Sequence, residues 1–114
     1  MSYPTPLTAF ERAVRDERDR QDAKWGEQNH PDGTGRDGNR KAMADMAREL
    51  CQRLAALGVV TWYHILLEEV YEALAEDDPA KLRAELIQVA AVAQQWVEAI
   101  DRRARAELNR GDHQ

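Results

Sequence analysis

The sequence predicts an all-α protein, and three observations predict it. Ala, Leu, Arg and Glu dominate the composition, and these residues favour helix. Apolar residues recur at three- and four-residue steps over long stretches. No strand-like alternation of useful length and no internal repeat breaks that pattern. At 114 residues the chain fits one domain with a real but modest core. The core is expected over about 8–103, with an irregular loop over 26–39 and a frayed tail over 104–114.

Four helical segments stand out. The first is expected to begin at Thr5 or Thr8, where a hydroxyl can cap free amides, and to reach about Lys24. Leu7, Phe10 and Val14 form its apolar stripe; beyond them nearly every residue is charged, which suits a solvated helix laced with i,i+4 pairs. Glycines and a proline rule out regular helix over 26–39, so that segment is either a linker or a functional loop. The second helix is expected from about Asn39 to Leu57, with Met43, Met46, Leu50, Leu54 and Leu57 in the core and Gly58 as a left-handed cap. Thr61 caps the third, which is expected to run to Glu76. Asp77-Asp78-Pro79 makes a tight connection, with Asp78 as N-cap of the fourth. That helix is expected to reach about Leu108, and Leu82, Leu86, Val89, Ala93, Trp96 and Ile100 form a seam along it. The short connection makes helices three and four antiparallel neighbours.

Composition narrows the function. A formal charge of −5 argues against a broad surface for nucleic-acid polymers. Cys51 is the only cysteine, so one chain offers neither a disulfide framework nor a cysteine zinc site. No apolar run approaches the roughly 20 residues that span a bilayer. The stretch Met1-Ser2-Tyr3-Pro4 has no basic region followed by an apolar one, so no signal peptide is expected. A cytoplasmic protein without membrane contact is the simplest reading.

The third helix carries an unusual acidic stripe. Glu68, Glu69, Glu72 and Glu76 fall within about 100° of a helical wheel. A solvated face would intersperse cations, because like charges at i,i+4 repel. Yet no lysine or arginine occurs from Gly58 to Ala80. Something outside the helix must neutralise the stripe. On the fourth helix Glu85 lies between Val92 and Trp96 on the wheel, inside an apolar arc, where a bare carboxylate is costly. Gln88 follows one turn later. Antiparallel packing lets Glu85 and Gln88 face Glu69 and Glu72, and converging carboxylates point to a hard divalent ion, magnesium or manganese.

Other metal chemistries fit less well. Di-iron bundles use Glu-x-x-His, and here Ala75 and Gln88 stand where the histidines would be. His64 precedes Glu68 by one turn, but no second histidine lies near it; it reads as a partly buried residue hydrogen-bonded by a neighbour. His30 and His113, in a loop and a tail, carry no site argument.

Glu68-Glu69-Val70-Tyr71-Glu72, then twelve residues, then Glu85-Leu86-Ile87-Gln88 resembles the EExxE…ExxD signature of the all-α nucleoside triphosphate pyrophosphohydrolases, the MazG-like and dimeric dUTPase-like group. The resemblance covers roughly 8–103. It implies a four- to five-helix bundle, assembled as a homodimer or homotetramer, that uses magnesium to convert a nucleoside triphosphate to monophosphate and pyrophosphate in nucleotide-pool house-cleaning. It further implies Glu68, Glu69, Glu72 and Glu85 as metal ligands, with Glu68 or Glu69 also orienting or deprotonating the attacking water. The family's final acid is Gln88 here, whose neutral carbonyl is a weaker ligand. That departure leaves a catalytically weakened nucleotide-binding module as the alternative.

A triphosphate also needs cations, and Lys24, Lys81, Arg83, Arg40 and Lys41 are candidates that serve equally well as solvated charges. The stretch from Gln21 to Pro31 reads as a binding element: Trp25 can stack on a base, and Gln28 and Asn29 can bond its edge. Trp25 can equally be a core anchor where the first helix meets the loop.

Overall fold

The computed structural model describes residues 5–111; the Met1–Pro4 stretch and His113 lie outside them. The described chain is all-helical, with four helices and no strand: α1 (Ala9–Trp25), α2 (Arg40–Ala56), α3 (Trp62–Leu74) and α4 (Pro79–Gly111). It falls into two units, divided between Pro31 and Asp32, each taken by itself below.

The first unit is α1 with the start of the loop. Thr8 caps it by a capping box: its hydroxyl accepts the Glu11 N–H at 3.1 Å, and the Glu11 carboxylate accepts the Thr8 N–H. Arg18–Asp22 and Arg20–Glu17 pairs, both at 2.7 Å, run along the surface as the charge pattern predicts. No residue of α1 is buried, and Val14, expected in an apolar stripe, is exposed. Gly26, at φ +67°, ends the helix in a conformation that costs glycine little.

In the second unit α3 is the central element, packed on α2 along one side and on α4 along the other. Small residues make the α2–α3 approach close: Ala44 and Cys51 on α2 and Ala73 on α3 are buried. Leu82 and Val92 of α4 are buried too. At the end of α2, Gly58 takes φ +73° as expected, its N–H donates to the Ala55 carbonyl, and the Val59 N–H donates to that of Leu54. This two-bond arrangement satisfies carbonyls that the helix end leaves free. Asp78 caps α4 by accepting the Lys81 N–H at 3.0 Å, with Pro79 in the first turn.

Several expectations are corrected here. Thr61 stands at the N-cap of α3 with extended backbone but makes no side-chain cap bond; its hydroxyl pairs instead with His64 Nδ1 at 2.7 Å. α3 stops at Leu74, because a tightened last turn closes from the Glu76 N–H to the Ala73 carbonyl. Glu76 therefore lies in the connection, not on the helix. Met43 and Met46 are exposed rather than core, and so are Leu50 and Leu57. The α4 seam is shifted: Leu86 and Ile100 are exposed, while Val92 is buried in their stead. An apolar periodicity marks a face, not what covers it, and the second unit by itself does not cover these.

The loop is not free throughout. The Thr34 hydroxyl donates to the Glu76 carbonyl at 2.7 Å, and the buried Gly35 N–H donates to the Leu74 carbonyl at 3.1 Å. The end of the irregular segment is thereby tied to the end of α3. Gly35 has φ +146°, a conformation that side chains rarely adopt, and the backbone there selects glycine.

Candidate metal centre

α3 and α4 each contribute to one carboxylate cluster. Glu69 and Glu72, one turn apart on α3, meet Glu85 of α4, and one oxygen from each lies within 4.8 Å of the others. All three side chains are half-buried. At an effective dielectric near 20, unit charges about 4–5 Å apart repel by about 3–4 kcal/mol. Charge on all three at once is therefore held at a cost. Burial pushes the Glu69 carboxyl above the usual glutamate value, and Glu72, Glu68 and Glu85 add to it. Burial likewise raises Glu85, with Glu72 and Glu76 adding and Arg48 opposing. Raised carboxyls that share a small volume are what a divalent cation relieves most. The donor set is all hard oxygen, which fits a hard divalent cation and suits softer metals poorly.

Glu68 is not part of that triad. It is half-buried and turned toward α2, where its carboxylate, after burial itself, helps push the Cys51 thiol up. Gln88 stands one turn beyond Glu85 and is exposed, since Val89 and Val92 take the inward positions around it. Glu76, from the connection, accepts the Asp78 N–H at 3.1 Å through Oε1.

The cation that the acidic stripe demanded comes from α2. Arg48 Nη2 lies 3.0 Å from Glu72 Oε1, and Nε donates to the same oxygen at 3.1 Å. Glu72 holds the guanidinium above its ordinary pKa, chiefly through this bond. Sequence reading missed Arg48. A signal existed: Lys41, Ala44, Asp45, Arg48 and Cys51 share one stripe of α2, and its small members mark where α3 comes close. Asp45 lies between two cations, Lys41 at 2.9 Å and Arg48 at 3.6 Å, and the Lys41 bond draws its carboxyl below the usual aspartate value.

A cleft of about 200 Å³ is lined by the cations Arg36, Lys41 and Arg48 together with Asp45, Glu72, Glu76 and Glu85; Glu69 is not among its lining residues. Of the cations proposed from sequence, Lys41 reaches this cleft, whereas Arg40 donates to the Gly33 carbonyl at 2.8 Å. Lys81 and Arg83 are exposed at the start of α4. In the first unit Trp25 is 57% exposed and Lys24 Nζ sits 4.8 Å above its ring. Gln28 bonds His30, and Asn29 bonds Glu27, both locally.

An apolar groove of about 480 Å³ opens on the other side of the α2–α3 pair, lined by Met43, Met46, Leu50, Leu67 and Tyr71. Among the described residues no helix is long and apolar enough to cross a membrane. No protein family, curated protein or solved structure matches this chain.

Proposed function

We propose that the chain is a magnesium-dependent nucleoside triphosphate pyrophosphohydrolase of MazG-like type, converting NTP or dNTP to monophosphate and pyrophosphate. One observation carries the reading: Glu69, Glu72 and Glu85, from two helices, bring carboxylate oxygens within 4.8 Å of one another. The EExxE…ExxQ spacing adds the family resemblance, which sequence alone supplies.

In this reading Glu69, Glu72 and Glu85 hold the ion, and Glu68 approaches from the α2 side. When bound, magnesium neutralises triphosphate charge and makes water more acidic. Glu69 or Glu68 would orient the attacking water and take its proton. Lys81 is a proposed contact to phosphate, and the exposed face of Trp25, with Lys24, Gln28 and Asn29, is a proposed base-stacking surface of the first unit taken by itself. The fold type belongs to the same proposal, as does a cytoplasmic location. So does assembly as a homodimer or homotetramer, in which a second copy covers the Met43–Met46–Leu50 groove.

Incubation with a panel of NTPs and dNTPs plus magnesium tests the reading, with monophosphate and pyrophosphate as expected products. No product from any nucleotide would overturn the enzymatic claim. A second reading has its own observation: Gln88 stands exposed where the family has an acid. It makes the chain a nucleotide-binding module with weak turnover. Tight binding without turnover, with turnover gained by Gln88→Asp, would favour it.

A further inference from the structure

Among the described residues the only cation paired with the glutamate triad is Arg48 of α2, in a half-exposed pair. Arg48 grips one oxygen of Glu72 while remaining 45% exposed. Its remaining terminal nitrogen, Nη1, stands 3.6 Å from Asp45 Oδ1, a second carboxylate on its own helix. The guanidinium thus lies between two carboxylates, Glu72 at 3.0 Å and Asp45 at 3.6 Å. It lines the cleft together with Arg36 and Lys41 and with Glu72, Glu76 and Glu85. A half-exposed ion pair is weak, whereas a divalent ion at Glu72 repels a neighbouring guanidinium strongly.

We propose that Arg48 is a two-position cation: it occupies Glu72 in the metal-free chain, yields that carboxylate to the divalent ion, and turns with Lys41 and Arg36 to hold the oxygens of a polyphosphate. This rests on the metal reading above. Arg48 offsets one glutamate charge in the metal-free chain, the ion offsets two, and the freed guanidinium offsets part of the incoming anion's charge. The exchange makes metal and polyphosphate binding cooperative, because each removes a cost that the other would meet alone. Arg rather than Lys suits the role, since its planar fork can grip a carboxylate or a phosphate in turn.

Calorimetry with manganese alone, then with inorganic triphosphate at saturating manganese, tests the proposal on the full chain, Arg48→Met, Arg48→Lys and Lys41→Met. Arg48→Met is expected to bind manganese several-fold tighter and triphosphate at least about tenfold weaker, the two effects having opposite sign. Arg48→Lys, which keeps the charge and guards against a simple folding defect, is expected nearer the native chain on both measures. Lys41→Met removes the same charge without freeing Glu72, and is expected to tighten manganese less. If the native chain binds manganese but Arg48→Met binds it no tighter, or Lys41→Met tightens it equally, the exchange is overturned and the metal reading survives. Unchanged triphosphate affinity in Arg48→Met also overturns it. If neither the native chain nor Arg48→Met binds manganese, the metal reading itself falls.

Discussion

The Thr34 hydroxyl reaches the Glu76 carbonyl at 2.7 Å across 42 residues of sequence, and this bond pins the loop to the end of α3 where the acidic connection begins. Gly35, next in the chain, completes the clasp through the Leu74 carbonyl.

Gly35→Ala is expected to destabilise the second unit. Its φ of +146° disfavours a side chain. Strained backbone of this kind costs about 1–3 kcal/mol. A chemical-denaturation midpoint equal to that of the native chain would show that the clasp is dispensable.

Glu72→Gln removes the carboxylate shared by the triad and the Arg48 pair. Loss of a mere outer-shell partner lowers metal affinity about 10–100-fold, and loss of a ligand is expected to exceed that. Thermal melts with and without magnesium are the measurement. A magnesium-induced rise retained in full by Glu72→Gln would remove Glu72 from the site. Glu76→Gln, altered in the connection and outside the triad, is expected to lose less.

The glutamates also fix a pH dependence. Glu69 and Glu85 are raised in the fold above their ordinary value of 4.5, by burial first and by neighbouring acids second. Above pH 4.5 the unfolded chain releases these protons before the folded one does. The folded state then binds more protons, so stability falls as pH rises through the native values of the two groups. Their contribution is fully present below 4.5 and lost above the raised values. Asp45, drawn below 3.8, acts with the opposite sign and beneath this window. Saturating magnesium is expected to flatten the decline toward neutrality. Urea midpoints across that range, with and without the ion, would expose an error if the two slopes coincide.

Much of this was legible from residue order. Thr8, Gly58, Asp78 and Pro79 mark helix ends because their chemistry acts within a few residues. Glu85 declared itself by lying in an apolar arc, and it does meet Glu69 and Glu72. Arg48 did not declare itself, because its partner lies 24 residues away and the contact depends on how closely Ala44 and Cys51 let α3 approach. Glu76 could not be placed off the helix, since nothing in its neighbourhood distinguishes one more turn from a tightened end. Met43, Met46, Leu86 and Ile100 were misjudged for a different reason: periodicity sees a stripe of apolar residues and is blind to whether anything lies upon it.

That stripe on α2 makes a prediction about assembly. Met46, 68% exposed beside Leu50 and Tyr71, has no cover within its own unit. Met46→Glu is expected to shift sedimentation from an oligomer toward the monomer at micromolar concentration, with helix content unchanged. A native chain that sediments as a monomer at every concentration would end this idea.

The lysine resting over Trp25 has a further use. Trp25 is the exposed member of the chain's three tryptophans; Trp62 and Trp96 are half-buried. Its fluorescence should be the reddest of the three and the most accessible to iodide, which the cation above the ring attracts. The molecule thus carries its own optical probe in the short stretch suspected of meeting a base, and quenching by an added nucleotide could be followed without labelling anything.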